Sequence, residues 1–320
     1  MENRTTAGRR RRVIVTPSFA SFHLLKYAIQ NWIDVLEPDI IAIAEGLMPA
    51  GPENKGHIDD VFRKKWCHPQ YPQAGFDLDD LTTFVVGKLN ERYDGNHDIP
   101  RIDLRIMTYR DKDANQCFQQ AICPEGELFG EGDIIFPLEP DAFFYEGDKA
   151  AIDKEISKLK PGEGLSCQWV DFLETQYYTE AINIRQPKYR RLAYCFDSKP
   201  KYLASMDGFM SQQYPKLKPI DKESFFIRHY CWFVSGEYKE LRYELIHRSD
   251  PQYWKDFEKG LQEVRRLSNM YVENGYRLDE TAEPYDRVVL RPTRNDDGRY
   301  AKFITTLHPV HIQSHPNWVK

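Results

Sequence analysis

Cysteine is scarce in this chain: six residues in 320, with no Cys-x-x-Cys pair among them. Scattered as they are (Cys67, Cys117, Cys123, Cys167, Cys195, Cys231), they exclude a disulfide-stapled secreted module and fit a reduced, intracellular setting. No apolar run approaches the length of a membrane span, and the N-terminus lacks the apolar region of a signal peptide, so a cytoplasmic protein with no membrane span is expected. Basic residues are not in excess. With 44 Lys and Arg against 49 Asp and Glu, a net charge of -5 gives no global attraction to nucleic acid or anionic membrane. Internal repeats and low-complexity tracts are also missing. Finally, the first apolar run is followed by Thr16-Pro17-Ser18-Phe19 and not by a glycine-rich phosphate loop, which counts against a nucleotidyltransferase, a dehydrogenase or a methyltransferase.

What is present is an α/β pattern. Arg12 to Pro17 reads as a strand, and Phe22, Leu25, Ile29, Trp32, Ile33 and Leu36 then recur at helical spacing. A second strand covers Asp39 to Gly46, so the two strands are expected as parallel neighbours joined by the helix. Helices are expected over Asp77 to Tyr93 and Asp113 to Ile122, with a third strand over Arg101 to Met107 between them. Glu163 to Tyr177, Arg190 to Phe196 and Ser224 to Trp232 read as later strands. Two helices follow over residues 237–275, and a short strand over Tyr300 to Thr305. The basic cluster Arg9 to Arg12 reads as a solvated tail without a role, and His308, His311 and His315, which match no firm zinc spacing, read as surface histidines.

The most informative stretch is Asp133 to Phe144. A short, fully apolar run ends abruptly in Glu139-Pro140-Asp141, so two carboxylates emerge where a buried strand stops. That is where open α/β sheets bind ligands. Carboxylates one residue apart can jointly meet a hard divalent cation, and such a cation commonly also carries a substrate's phosphates. The alternative is a solvated turn after a strand.

Three separated segments together resemble a known family. Phe22 to Gly46, ending in Ile43-Ala44-Glu45-Gly46, is similar to the first long helix and second strand of glycosyltransferases of the GT-A fold; Gly132 to Phe143 is similar to their strand ending in Asp-x-Asp; Phe226 to Tyr230 resembles their late strand bearing a His that can complete a metal shell. The resemblance spans roughly residues 12 to 235 and departs from the family at Glu139, which stands where the first Asp is usual. It implies one central mixed sheet with a Rossmann-like half and helices on both faces. Residues 1–11 would be a disordered basic tail, 12–145 the nucleotide-sugar half, 146–235 the acceptor half, and 236–320 a helical extension.

The resemblance also implies Mn²⁺ or Mg²⁺ on Glu139, Asp141 and His229, a UDP-sugar donor, and a saccharide, lipid or protein acceptor. Glu reaches farther than Asp, so Asp141 is the safer direct ligand, with Glu139 free to act through water or a ribose hydroxyl. His229, among Phe and Tyr neighbours, reads equally as a core residue. Thr16, Pro17 and Phe19 are placed against the base, and Glu45 against base or ribose. Arg110 and Asn115 are candidates for phosphate or ribose, with helix capping as the alternative for Asn115. Asp171 and Glu174, beside Trp169 and Phe172, are the candidates to take an acceptor proton, and on a strand their odd separation puts only one of them toward the cleft. A sugar-binding scaffold without turnover is the non-enzymatic alternative.

Overall fold

The structure, a computed structural model, describes residues 9–18, 22–45, 100–106, 128, 130–173, 178–181, 189–197, 217–220, 224–232, 277–278, 288–290, 300–303, 307–315 and 318. Strand β1 (Arg12–Ser18) is followed by helix α1 (Phe22–Leu36), β2 (Ile40–Glu45), β3 (Arg101–Ile106) and β4 (Ile134–Pro137). These four strands lie parallel in the order β3-β2-β1-β4. Val13–Val15, Ile41–Ala44 and Ile134–Phe136 are all buried, as befits parallel strands covered on both faces. Leu25, Ile29, Trp32, Ile33 and Leu36 give α1 its apolar stripe, and all are buried in the core. The helix stops because Glu37 turns into the left-handed region (φ 47°) ahead of Pro38. Arg9 donates to the Glu37 carbonyl at 2.7 Å, and Lys149 pairs with the Glu37 carboxylate.

Beyond β4 come β5 (Ala142–Phe143), a 3-10 turn (Glu146–Asp148), α2 (Lys149–Ser157), β6 (Gly164–Leu173), β7 (Tyr178–Ala181), β8 (Tyr189–Cys195), β9 (Leu217–Pro219) and β10 (Ile227–Trp232). The chain ends with β11 (Arg277–Leu278), β12 (Val288–Leu290), β13 (Tyr300–Phe303) and the single turn α3 (Val310–Gln313). The long strand β6 joins the two regions of the sheet. Its first half pairs with β8, which is antiparallel to β4, and its second half pairs with β10 and β7. From β7 the sheet continues antiparallel through β13, β12 and β11, and Tyr300–Phe303 runs beside Tyr178–Ala181. The result is a mixed α/β architecture. No helix among the described residues is long and apolar enough to cross a membrane. The helices expected over 77–93, 113–122 and 237–275 lie outside the described residues.

Two expectations are overturned. Arg9 to Arg12 are docked, not solvated: Arg10 donates to the carbonyls of Ile156, Ser157 and Leu159, closing the C-terminal end of α2, where unpaired carbonyls and the helix dipole favour a cation. Arg11 pairs with Asp133 at 2.5 Å, and the buried Arg12 reaches the Leu36 carbonyl at 2.8 Å and Asp153 at 2.7 Å. The three C-terminal histidines are buried as well. His311 is held between Asp34 of α1 at 2.8 Å and Glu146 at 3.2 Å. His308 meets the Tyr230 hydroxyl at 2.6 Å, and His315 lies edge-on to Tyr27 at 5.2 Å. Ion pairing and ring packing against α1 and β10 outweigh the polar character of the segment.

Candidate metal centre

Because β1 to β4 run the same way, their carboxyl ends share one edge of the sheet, with Ser18, Glu45 and Ile106 in register. Leu138 extends β4 along β1 by donating to the Val15 carbonyl at 3.0 Å. The chain then folds back in a four-residue turn, Glu139 to Ala142, closed by the Ala142 N–H donating to the Glu139 carbonyl at 3.0 Å. Pro140 occupies the second position of that turn, where its fixed φ is favoured. The Glu-Pro-Asp spelling is therefore a turn sequence that puts a carboxylate on each side of a proline.

The two acids are brought to His229 by strand pairing. Ala142 is the antiparallel partner of His229, and the Tyr230 N–H donates to the Asp141 carbonyl at 2.9 Å. The His229 Nε2 consequently stands 3.0 Å from Asp141 Oδ1 and 3.2 Å from Glu139 Oε2. Asp141 and His229 are buried, whereas Glu139 is partly exposed and opens the site to solvent. One donor atom from each residue lies within 4.8 Å of the others. At bond lengths of about 2.1–2.4 Å a single ion spaces opposite ligands by up to about 4.8 Å, so the set lies within reach of one cation. Two carboxylate oxygens and one imidazole nitrogen suit Mn²⁺ better than Mg²⁺.

No protein-family model matches the chain, and no curated protein matches it either. Among solved structures, a crystal structure of S. aureus TarS 1-349 overlaps with a TM-score of 0.34 and 9% identity, covering 82% of this chain and 73% of that one. A second structure of S. aureus TarS gives 0.34 and 10% identity, covering 82% of this chain and 44% of that one. Overlap at that level decides neither fold nor chemistry.

The remaining expected residues fall into two groups. Thr16, Pro17 and Glu45 lie at the carboxyl edge that carries Glu139, with Thr16 fully buried. Asp171 is the register partner of His229 in the parallel β6–β10 pair. Phe19, Arg110, Asn115 and Glu174 lie outside the described residues. One contact was not anticipated: Arg190 of β8 forms an ion pair with Glu139 and stacks over the Trp169 ring at 4.7 Å, while Trp169 itself meets the His229 ring edge-on at 4.9 Å. The sequence signal was an Arg heading the apolar run of a predicted strand, which by itself names no partner.

Proposed function

We propose that the chain is a metal-dependent glycosyltransferase that moves a sugar from a nucleoside diphosphate sugar, UDP-linked, to an acceptor hydroxyl. The observation that carries this reading is the convergence of Glu139, Asp141 and His229 at the carboxyl edge of the parallel strands. Glu139, Asp141 and His229 hold the cation, with Mn²⁺ preferred. When bound, that cation supplies positive charge against the diphosphate leaving group.

The protein's own groups do the rest. Thr16, Pro17 and Phe19 receive the base, Glu45 the base or ribose, and Arg110 and Asn115 a phosphate or ribose, so that residues 12–145 carry the donor and residues 146–235 the acceptor. Asp171, one strand across from His229, takes the proton of the acceptor hydroxyl, with Glu174 as the other candidate.

The test is release of UDP from several UDP-sugars with and without Mn²⁺, in the wild type and in Asp141→Asn. Turnover should require Mn²⁺ and vanish in the variant, and Mn²⁺ affinity should fall at least about tenfold, since even groups one shell further from a metal contribute that much. Metal-independent release, or unchanged turnover in Asp141→Asn, overturns the assignment. Sugar binding without release returns the chain to the non-enzymatic alternative.

A further inference from the structure

Arg190 stands in an unusual place, a cation bound to a residue that is meant to bind another cation. Its Nη1 donates to Glu139 Oε1, while Oε2 of the same carboxylate faces His229. Among the described residues this is the only side-chain hydrogen bond shown for Arg190, so one of the five guanidinium N–H donors is engaged there. What fixes the guanidinium independently of Glu139 is the Trp169 ring beneath it, which adds cation–π attraction. The indole N–H of Trp169 is also a buried donor with no hydrogen-bond partner among the described residues. Buried donors of that kind are rare and call for an acceptor.

We propose that Arg190 is the internal counter-ion of the metal site before a cation binds and the diphosphate clamp once one is bound. This rests on the glycosyltransferase reading of the same site. Without metal, Arg190 neutralises Glu139, so a partly buried acid is not left facing Asp141 alone. A divalent cation that takes Glu139 both competes for its oxygens and repels the guanidinium. Arg190 stays on Trp169 and turns its donors to the anion that arrives with the metal, whose paired phosphate oxygens the planar Arg fork can meet bidentately. The ligand class is a nucleoside diphosphate, and the order is metal first.

The two roles have opposite signs, which separates them from mere structural support. Calorimetric titration with Mn²⁺ alone, then with UDP at saturating Mn²⁺, is done on wild type, Arg190→Gln and Arg190→Lys. Removing the positive charge should make Mn²⁺ bind about three- to tenfold tighter, the scale of a screened, partly exposed charge pair. UDP should bind about 10- to 100-fold weaker, the range for losing hydrogen bonds to a charged group. Arg190→Lys should keep the metal affinity near wild type and recover part of the UDP affinity. Weaker Mn²⁺ binding in Arg190→Gln, or unchanged UDP affinity, overturns the proposal while leaving the metal site standing. A wild type that takes up no Mn²⁺ overturns the functional reading and this inference with it. If Arg190→Gln does not fold, Arg190→Lys decides alone: UDP affinity equal to wild type refutes the clamp, because Lys lacks the fork.

Discussion

Replacing Asn31 by alanine should damage the protein far more than its size implies. Asn31 is fully buried in α1, and its side-chain amide donates to the Phe144 carbonyl at 2.7 Å while its oxygen accepts the Phe144 N–H at 2.8 Å. Phe144 directly follows β5, three residues after Asp141, and neighbouring Trp32 donates its indole N–H to the Ala142 carbonyl at 2.8 Å. The helix thus grips the backbone that carries the Glu139–Ala142 turn. Alanine removes the partner of two buried backbone groups, each costing about 1–3 kcal/mol when left unsatisfied, for a loss of roughly 2–6 kcal/mol. Set against a total stability of about 5–15 kcal/mol, that is a large fraction. Urea unfolding followed by tryptophan fluorescence measures it, the denaturant slope showing whether the native state stays compact. Asn31→Asp is the control: ionised, it sets a carboxylate against the Phe144 carbonyl, and protonated, it restores one donor and one acceptor, so its deficit should shrink as pH falls. A loss below about 1 kcal/mol for alanine refutes the reasoning.

The His311 clasp gives a pH window. Burial disfavours the imidazolium, but hydrogen bonds and charge from Asp34 and Glu146 outweigh it and raise the His311 pKa, so its contribution is complete below about pH 6.5 and is lost as pH rises through the raised value. Burial likewise pushes Glu146 up, yet hydrogen bonds from His311, its own backbone and Val310 bring it lower, so its share is present above about pH 4.3 and fades as pH falls through the lowered value. Amide protection of residues 310–315, taken relative to the intrinsic exchange rate at each pH, should be greatest between those limits, and His311→Gln should remove the alkaline-side loss; a profile unchanged by the substitution refutes the pairing. Cys167, whose thiol burial pushes well above the ordinary range, should resist iodoacetamide at pH 8 until the protein unfolds, as read by peptide mass mapping; rapid native labelling contradicts its burial.

The central strands were legible because their chemistry is local. Val13–Val15 and Ile40–Ala44 are short apolar runs with turn residues beyond them, and α1 was found from a stripe that repeats every three or four residues. Glu139 and Asp141 were legible for the same reason, at the end of an apolar run. That they meet His229 depends on β5 pairing with β10 across some ninety residues, a contact that no local pattern encodes. Arg190 was missed on that account: β8 reaches Glu139 only through its place between β4 and β6. Polarity pointed the wrong way for Arg9 to Arg12 and for His308, His311 and His315, since a charged or titratable side chain is buried readily once carbonyls and carboxylates wait for it.

The pairing of Tyr300–Phe303 with Tyr178–Ala181 sets a timetable for synthesis. Residues that complete the edge at β7 leave the ribosome more than a hundred positions after it. At about 5–20 residues per second the wait is roughly 6–24 s, during which a row of unpaired amides stands open to any passing strand. A chaperone that shields nascent β-edges should therefore engage this polypeptide over that interval and let go once the late hairpin arrives.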